Sequence, residues 1–218
     1  MPIVTLTTDW GLADFYLAAL KGRILALCPQ VGLVDVSHDE EHLKNMMAAC
    51  HKLRHACPHF PAGSIHVVGV ACEAAPLVLA EGGGHLFIAP NNGFLSLTVD
   101  NIACAVHLPS DEGGTGFTRM LSLVPRAVEQ LLHGATPRQL GDPAQLATLI
   151  PRKPKLTYRP AQSAGGKQQA AHVAAIVGHV VHFDSNGNAI TDITRDLLES
   201  SARGRPYCIY LNSERYKV

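Results

Sequence analysis

Residues 3–7 run Ile-Val-Thr-Leu-Thr, an apolar and β-branched series that reads as a buried strand. Asp9 falls where that strand ends, and Gly11 permits a sharp turn just after it. The spacing then changes. Phe15, Leu17, Ala18, Leu20, Ile24, Leu25 and Leu27 suit a helix that runs to Cys28-Pro29. Residues 31–36 form a second apolar run, ending at Ser37-His38-Asp39. A helix follows with Leu43, Met46, Met47, Cys50 and Leu53 on one face, closed by Pro58 and Pro61-Ala62-Gly63. Residues 64–70 predict a third strand. Residues 77–80 and 86–89 predict a strand pair joined by Gly82-Gly83-Gly84. After the turn Pro90-Asn91-Asn92-Gly93, residues 94–99 continue the apolar run, and another strand covers 103–108. A polar loop over 109–116 precedes a helix from about residue 122 to His133, stopped by Gly134. Strands alternating with helices predict an α/β domain with a largely parallel sheet covered on both faces.

Between residues 151 and 167 three prolines and Gln162-Ser163-Ala164-Gly165-Gly166 read as a linker. Beyond it the pattern turns to short strands. Residues 172–183 are β-rich, Asp184-Ser185-Asn186-Gly187-Asn188 is a turn with the Asn-Gly hairpin dipeptide, and 189–193 and 207–211 are further strands. The expected organisation is an α/β domain over 1–151, a linker over 152–167, and over 168–218 the start of a small all-β, barrel-like domain. Two or three strands cannot bury a core alone, so this second domain reads as incomplete.

The chain has 218 residues, enough for one large domain or two small ones. Its 18 basic and 18 acidic residues cancel, which argues against a nucleic-acid binder. No apolar run is long enough for a bilayer, and the N-terminus has no signal-peptide pattern. The six cysteines show no CxxC pair and read as reduced thiols of a cytoplasmic protein. The twelve histidines are scattered without ligand spacing, so no metal site is expected.

A carboxylate at the C-terminal end of a strand, just before a helix, lies in the crevice where open α/β sheets bind ligands. The alternative is a helix N-cap, with Asp9 or Asp14 satisfying only helix N–H groups. His66, on a strand among apolar neighbours, reads as a core histidine. Cys72 reads as a small apolar filler.

Five stretches, in order and in register, carry a family resemblance. They are Thr7-Thr8-Asp9-Trp10-Gly11 with Asp14 and Tyr16; Lys21-Gly22 through Pro29 to Val34-Asp35-Val36-Ser37-His38; residues 60–67; Ile88-Ala89-Pro90-Asn91-Asn92-Gly93-Phe94-Leu95; and residues 183–193. Together they resemble the S-adenosylmethionine-dependent fluorinase, chlorinase and hydroxide adenosyltransferase family over nearly the whole chain. The resemblance implies an N-terminal α/β domain, a C-terminal β-barrel and a homotrimer. It places S-adenosylmethionine, as substrate and with no further cofactor, between one subunit's first domain and the next subunit's second. It implies that Asp9 binds ribose, that Trp10, Asp14 and Asn91 lie at the substrate, and that Asp184 and Asn188 reach it from the neighbour. No nucleic-acid or membrane partner is implied. For Asn91 and for 184–188 the residues alone read equally as turns.

The departures from the family bear on the chemistry. Water-using members carry an Asp, Arg and His set. Here the Asp position is Ala71, no arginine follows it, and the His position is Phe117 or Thr118. The halogenases' halide loop has no counterpart, which argues against a halogenase. Water is a poor nucleophile and needs an oriented base. Glu73, two residues after the missing Asp, is the candidate base, with Thr118 and Arg119 beside a water. Three readings stand: hydrolysis of S-adenosylmethionine to adenosine and methionine, binding of it or of adenosine without turnover, and a trimer with no ligand.

Overall fold

The alternation at the N-terminus forms β1 (Ile3–Thr8), which lies inside a seven-stranded sheet rather than at its edge. The computed structural model describes residues 1–38, 46–109, 114, 116–159, 162–164, 167–169, 172–211 and 214–217. Asp39 and Leu43 of the sequence reading, and the glycines at 165 and 166, lie outside these. The described chain divides into two compact units, Met1–Pro151 and Arg152–Val218.

In the first unit β1 is followed by α1 (Tyr16–Leu27), β2 (Gly32–Ser37), α2 (Met46–Ala56) and a 3-10 turn (Cys57–His59). Then come β3 (Ile65–Gly69), β4 (Leu77–Gly82), β5 (His85–Pro90), α3 (Phe94–Thr98) and β6 (Ile102–His107). The unit closes with α4 (Gly116–Leu132), α5 (Pro137–Leu140) and β7 (Asp142–Pro143). The strand order is β2-β1-β3-β5-β4-β6-β7. The first four strands are mutually parallel, and β4, β6 and β7 continue the sheet antiparallel.

Alternate residues of the central strands face opposite ways and build two cores. On one face Val4, Leu6, Ile65, Val67, Leu79 and Ile88 pack with Leu17, Leu20 and Ile24 of α1 and Met120, Val124 and Val128 of α4. On the other, Val68, Val78, Phe87 and Ala89 pack with Cys50 and Leu53 of α2 and Phe94 and Leu95 of α3. Thr5, His66 and Phe87 are register neighbours on that second face. His66 is fully buried there, and burial pushes its imidazole down to about 4. It is the core histidine that its neighbours in sequence suggested.

The apolar run over residues 94–99 opens with a short helix. Gly93 takes a φ of 93°, and Asn92 Oδ1 accepts the Phe94 N–H at 3.1 Å, which starts α3. Two expectations need correction. The helix expected from about residue 122 begins at Gly116, six residues earlier, because Gly116, Met120, Leu123, Val124, Ala127, Val128 and Leu131 already form one buried stripe. The linker over 152–167 is not unstructured. β8 (Lys155–Arg159) lies inside it and pairs with a later strand, and β9 (Gln162–Ala164) pairs with β10 (Lys167–Gln169).

The second unit adds β11 (His172–Val177), β12 (Val180–Phe183), β13 (Ala189–Thr191), α6 (Arg195–Ala202), β14 (Cys208–Leu211) and β15 (Glu214–Lys217). Its strands pair antiparallel two by two: β8 with β11, β9 with β10, β12 with β13, β14 with β15. Among the residues of this unit whose burial is described, none is fully buried. All six cysteines of the chain are free thiols. Among the described residues no helix is long and apolar enough to cross a membrane.

The two neighbours Ile24 and Leu25 separate the core from the surface, since Ile24 is 0% exposed and Leu25 42%. Ile24→Ala should lower the unfolding free energy in urea by about 2–5 kcal/mol, whereas Leu25→Ala should change it by about 0.5 kcal/mol or less.

Candidate functional site

From β1 the chain crosses to β2 on one side, then returns past β1 to β3 on the other. The C-terminal ends of β1 and β3 therefore flank the point where the winding reverses, the place where open α/β sheets carry ligand crevices. Asp9 is the first residue beyond β1, and its N–H donates to the Gly69 carbonyl at 3.3 Å. The Ala71 N–H donates to Asp9 Oδ2 at 2.8 Å. Besides this N–H only the residue's own N–H bears on the carboxylate among the described residues, which leaves lone pairs for a further donor.

The loop that supplies this N–H is itself held. Ala71 has a φ of 48°, in the left-handed region that a residue with a Cβ rarely adopts. Asn92 stabilises it: its Nδ2 donates to the Val70 carbonyl at 2.9 Å and to the Ala71 carbonyl at 3.1 Å. Gly69 is needed for close approach, because a Cβ there would come within 2.7 Å of the Trp10 ring.

Asp9 is only 9% exposed. Burial raises its carboxyl above the ordinary 3.8, and the negative charge of Glu73 adds to the rise while the Ala71 N–H opposes it. A ligand hydroxyl donating to Oδ1 would relieve part of that desolvation. Next to it the first turns of α1 and α4 meet through aromatic rings. Phe117 stands edge-on to Trp10, with ring centroids 5.3 Å apart, and to Tyr16 at 4.9 Å, and Phe15 leans on Tyr16 at 4.6 Å. Phe15 is 65% exposed, so this apolar cluster opens to solvent.

Glu73 is exposed on the loop after β3, and Gly116 packs against it: a Cβ at 116 would sit 3.4 Å from the Glu73 Cα. Asp9, Trp10 and Glu73 thus gather at one place, with α4 carrying Thr118, exposed, and Arg119 in its first turn. The Arg119 guanidinium is committed to backbone. It donates to the Ala75 carbonyl at 2.6 Å and to the Gly114 carbonyl at 2.8 and 3.2 Å, tying the loop to α4. Cys72 is buried beneath the loop and its thiol is pushed up to about 11, which fits an inert filler.

The remaining sequence candidates make contacts of their own. Asp14 is exposed in the turn before α1. The N-cap of that helix is Phe15 with no side-chain cap, so neither Asp9 nor Asp14 caps it. The Asn91 amide is spent on chain: Oδ1 accepts the Ala147 N–H at 2.7 Å and Nδ2 donates to the Gln145 carbonyl at 3.0 Å. In the second unit Asp184 folds on its own turn. Oδ1 accepts the N–H groups of Asn186 and Asn188 at 3.0 and 2.7 Å, and Oδ2 accepts Asn188 Nδ2 at 2.8 Å. The Asn188 amide and N–H hold that carboxyl below the usual range. Sequence reasoning missed Ala71 as the N–H donor to Asp9, the Asn92 clamp, and Phe117 as a ring of the cluster. The Asn-Asn-Gly turn was the signal for Asn92; nothing local announces Ala71.

Residues 4–141, more than half of the chain, match the family model described as the SAM hydroxide adenosyltransferase N-terminal domain. The chain belongs to this family. It is 29% identical over 120 residues to a protein of Methanocaldococcus jannaschii named (R)-S-adenosyl-L-methionine hydrolase, a stretch that covers 51% of this chain and 45% of that protein. A protein of the same name from Thermus thermophilus is 26% identical over 203 residues, 86% of this chain and 73% of the relative. A fluorinase of Actinopolyspora mzabensis is 23% identical over 238 residues, 93% and 75% of the two chains. A crystal structure of an uncharacterized conserved protein from Thermotoga maritima has the same fold, with a TM-score of 0.77 at 20% identity over 98% of this chain and 80% of that one.

The raised carboxyl of Asp9 fixes a pH dependence. The folded protein holds this proton to higher pH than the unfolded chain, so ionising Asp9 opposes folding. The penalty is absent below the ordinary value of 3.8 and complete above the folded value. Asp9→Asn, which still accepts the Ala71 N–H, should raise the melting temperature at pH 7, and the gain should vanish below pH 3.8 in a melting series over pH.

Proposed function

We propose that the protein binds S-adenosyl-L-methionine at the end of β1 and hydrolyses it to adenosine and methionine. The observation that carries this reading is Asp9: a carboxylate at the sheet's switch point, fixed through Oδ2 by the Ala71 N–H and able to accept from a ribose diol through Oδ1. The ring cluster of Trp10, Phe117 and Tyr16 beside it supports binding of a flat base and of a sulfonium cation. The names of the relatives support the same ligand and reaction.

In this reading a water oxygen forms a bond to C5′ of the ribose as the C5′–S bond breaks. The bond pair goes to sulfur, which leaves as the neutral thioether of methionine. The water proton passes to Glu73 and on to solvent, and Thr118 orients the water. Because sulfonium is already a good leaving group, in-line positioning supplies much of the rate. Arg119 acts by holding the loop of Glu73 against α4. The protein works as a homotrimer, in which Asp184 and Asn188 of a neighbouring subunit close the pocket. That no residue of the second unit whose burial is described is fully buried supports such self-association.

Binding without turnover is the second reading. It is favoured by the commitment of Arg119 to backbone carbonyls, which leaves Glu73 as the one charged group offered to a water by the loop after β3. Incubation with S-adenosylmethionine and chromatography of the products separates the two. Hydrolysis predicts adenosine and methionine in equal amounts, falling by about 100-fold or more in Glu73→Gln with binding kept. Binding alone predicts a calorimetric signal and no adenosine. In either case Asp9→Asn should weaken binding by about 10- to 100-fold, the worth of a charged hydrogen bond. No heat with either S-adenosylmethionine or adenosine would refute both.

A further inference from the structure

Three side chains able to ligate a metal meet in a part of the first unit that the nucleoside reading does not use. Cys57 opens the 3-10 turn after α2, His66 is the second residue of β3, and His85 opens β5. Their separations of 9 and 19 residues match no ligand motif. The parallel pairing of β3 with β5 and the packing of the end of α2 bring them together, so that one ligand atom from each lies within 4.8 Å of the others. All three are buried, at 9%, 0% and 8% exposure.

Two further observations point to a ligand. Among the described residues His85 Nδ1 is buried with no hydrogen-bond partner, a state that costs about 1–3 kcal/mol unless something binds it. His66 is already set as a metal-bound histidine would be. Its Nδ1 meets Thr5 Oγ1 at 2.7 Å, which fixes the ring and turns Nε2 toward Cys57 Sγ, 3.2 Å away. Phe87 stacks on the His66 ring at 5.1 Å and Phe60 stands edge-on at 5.7 Å, keeping it from rotating.

We propose that Cys57, His66 and His85 form a binding site for a divalent transition-metal ion of the zinc class. One sulfur and two imidazole nitrogens are the donors such an ion prefers, with bonds of about 2.0–2.3 Å. Those bonds put donors about 3.3–3.6 Å apart in a tetrahedron. The Cys57–His66 pair already stands near that spacing, and the widest pair, within 4.8 Å, needs a contraction of at most about 1.5 Å. On binding, the Cys57 S–H bond gives its proton to solvent and the sulfur lone pair goes to the ion, with no change of oxidation state. The fourth position falls to water or to an incoming ligand. Thr5 is four residues before Asp9 on β1, so the site lies about 13 Å along the sheet from the nucleoside crevice. It staples the turn after α2 to two central strands.

The test uses the full chain, stripped with chelator and titrated with zinc against a chromogenic competitor, then with cobalt by absorption. The expected result is one zinc per chain, bound about 100-fold or more tightly than by His85→Gln. Cobalt should give a thiolate charge-transfer band and tetrahedral ligand-field bands, lost in Cys57→Ser and kept in Cys104→Ser. Zinc bound equally by wild type and His85→Gln, or a cobalt spectrum that survives Cys57→Ser, would mean adventitious binding and overturn the proposal. So would no binding at all, which leaves a hydrogen-bonded core cluster. If Cys57→Ser fails to fold by circular dichroism, His85→Gln, at the start of its strand, decides alone.

Discussion

The carboxylate of Asp9, largely withdrawn from water and held by the backbone N–H of Ala71, is the interaction from which the rest of the site follows. A charged oxygen in that position favours any donor that reaches it. The fold spends effort to keep the one it has. Ala71 sits in a strained conformation, a cost of about 1–3 kcal/mol, and Asn92 compensates by clamping both carbonyls of the 70–71 loop. Asn92 is fixed in turn by the start of α3. The geometry at Asp9 thus depends on a turn more than eighty residues away in the sequence.

The sheet works differently on its two faces. On the side of α1 and α4 the central strands present Val4, Leu6, Ile65, Val67 and Ile88, a plain apolar surface. On the side of α2 and α3 the alternating positions include Thr5 and His66, which meet Cys57 of the turn after α2, and the polar atoms of the three pair with one another rather than with water. Buried polar groups are as a rule partnered, and the Nδ1 of His85 at the edge of this set, unpartnered among the described residues, asks for a cause.

The loop after β3 shows how a site changes without collapse. In members of the family that use water an Asp stands where this chain has Ala71. Here the loop is kept in place from both sides by hydrogen bonds to its backbone carbonyls, from Asn92 in the turn after β5 and from Arg119 of α4. Its conformation does not need the missing charges. Glu73 is therefore presented on a braced loop, and its distance from Asp9 is short enough for the two charges to repel.

Local pattern settled a good deal. The β-branched alternation of β1, the apolar spacing of α1 and the Gly-rich turn between β4 and β5 are short-range effects, readable because backbone propensity and side-chain period act over a few residues. Asp9 was legible for the same reason: a carboxylate directly after a strand has few other places to be. What only the tertiary structure decided was everything that needs two distant segments at once. Pairing with β11 turned the proline-rich stretch before it into β8, and a continuous buried stripe began α4 at Gly116. The clamp of Asn92 on Ala71, the turn-bound state of Asp184 and the meeting of Cys57, His66 and His85 follow from strand order and helix packing. Those distances are set by which strands pair, and strand pairing is fixed by the burial of two whole faces, which no single stretch of residues encodes.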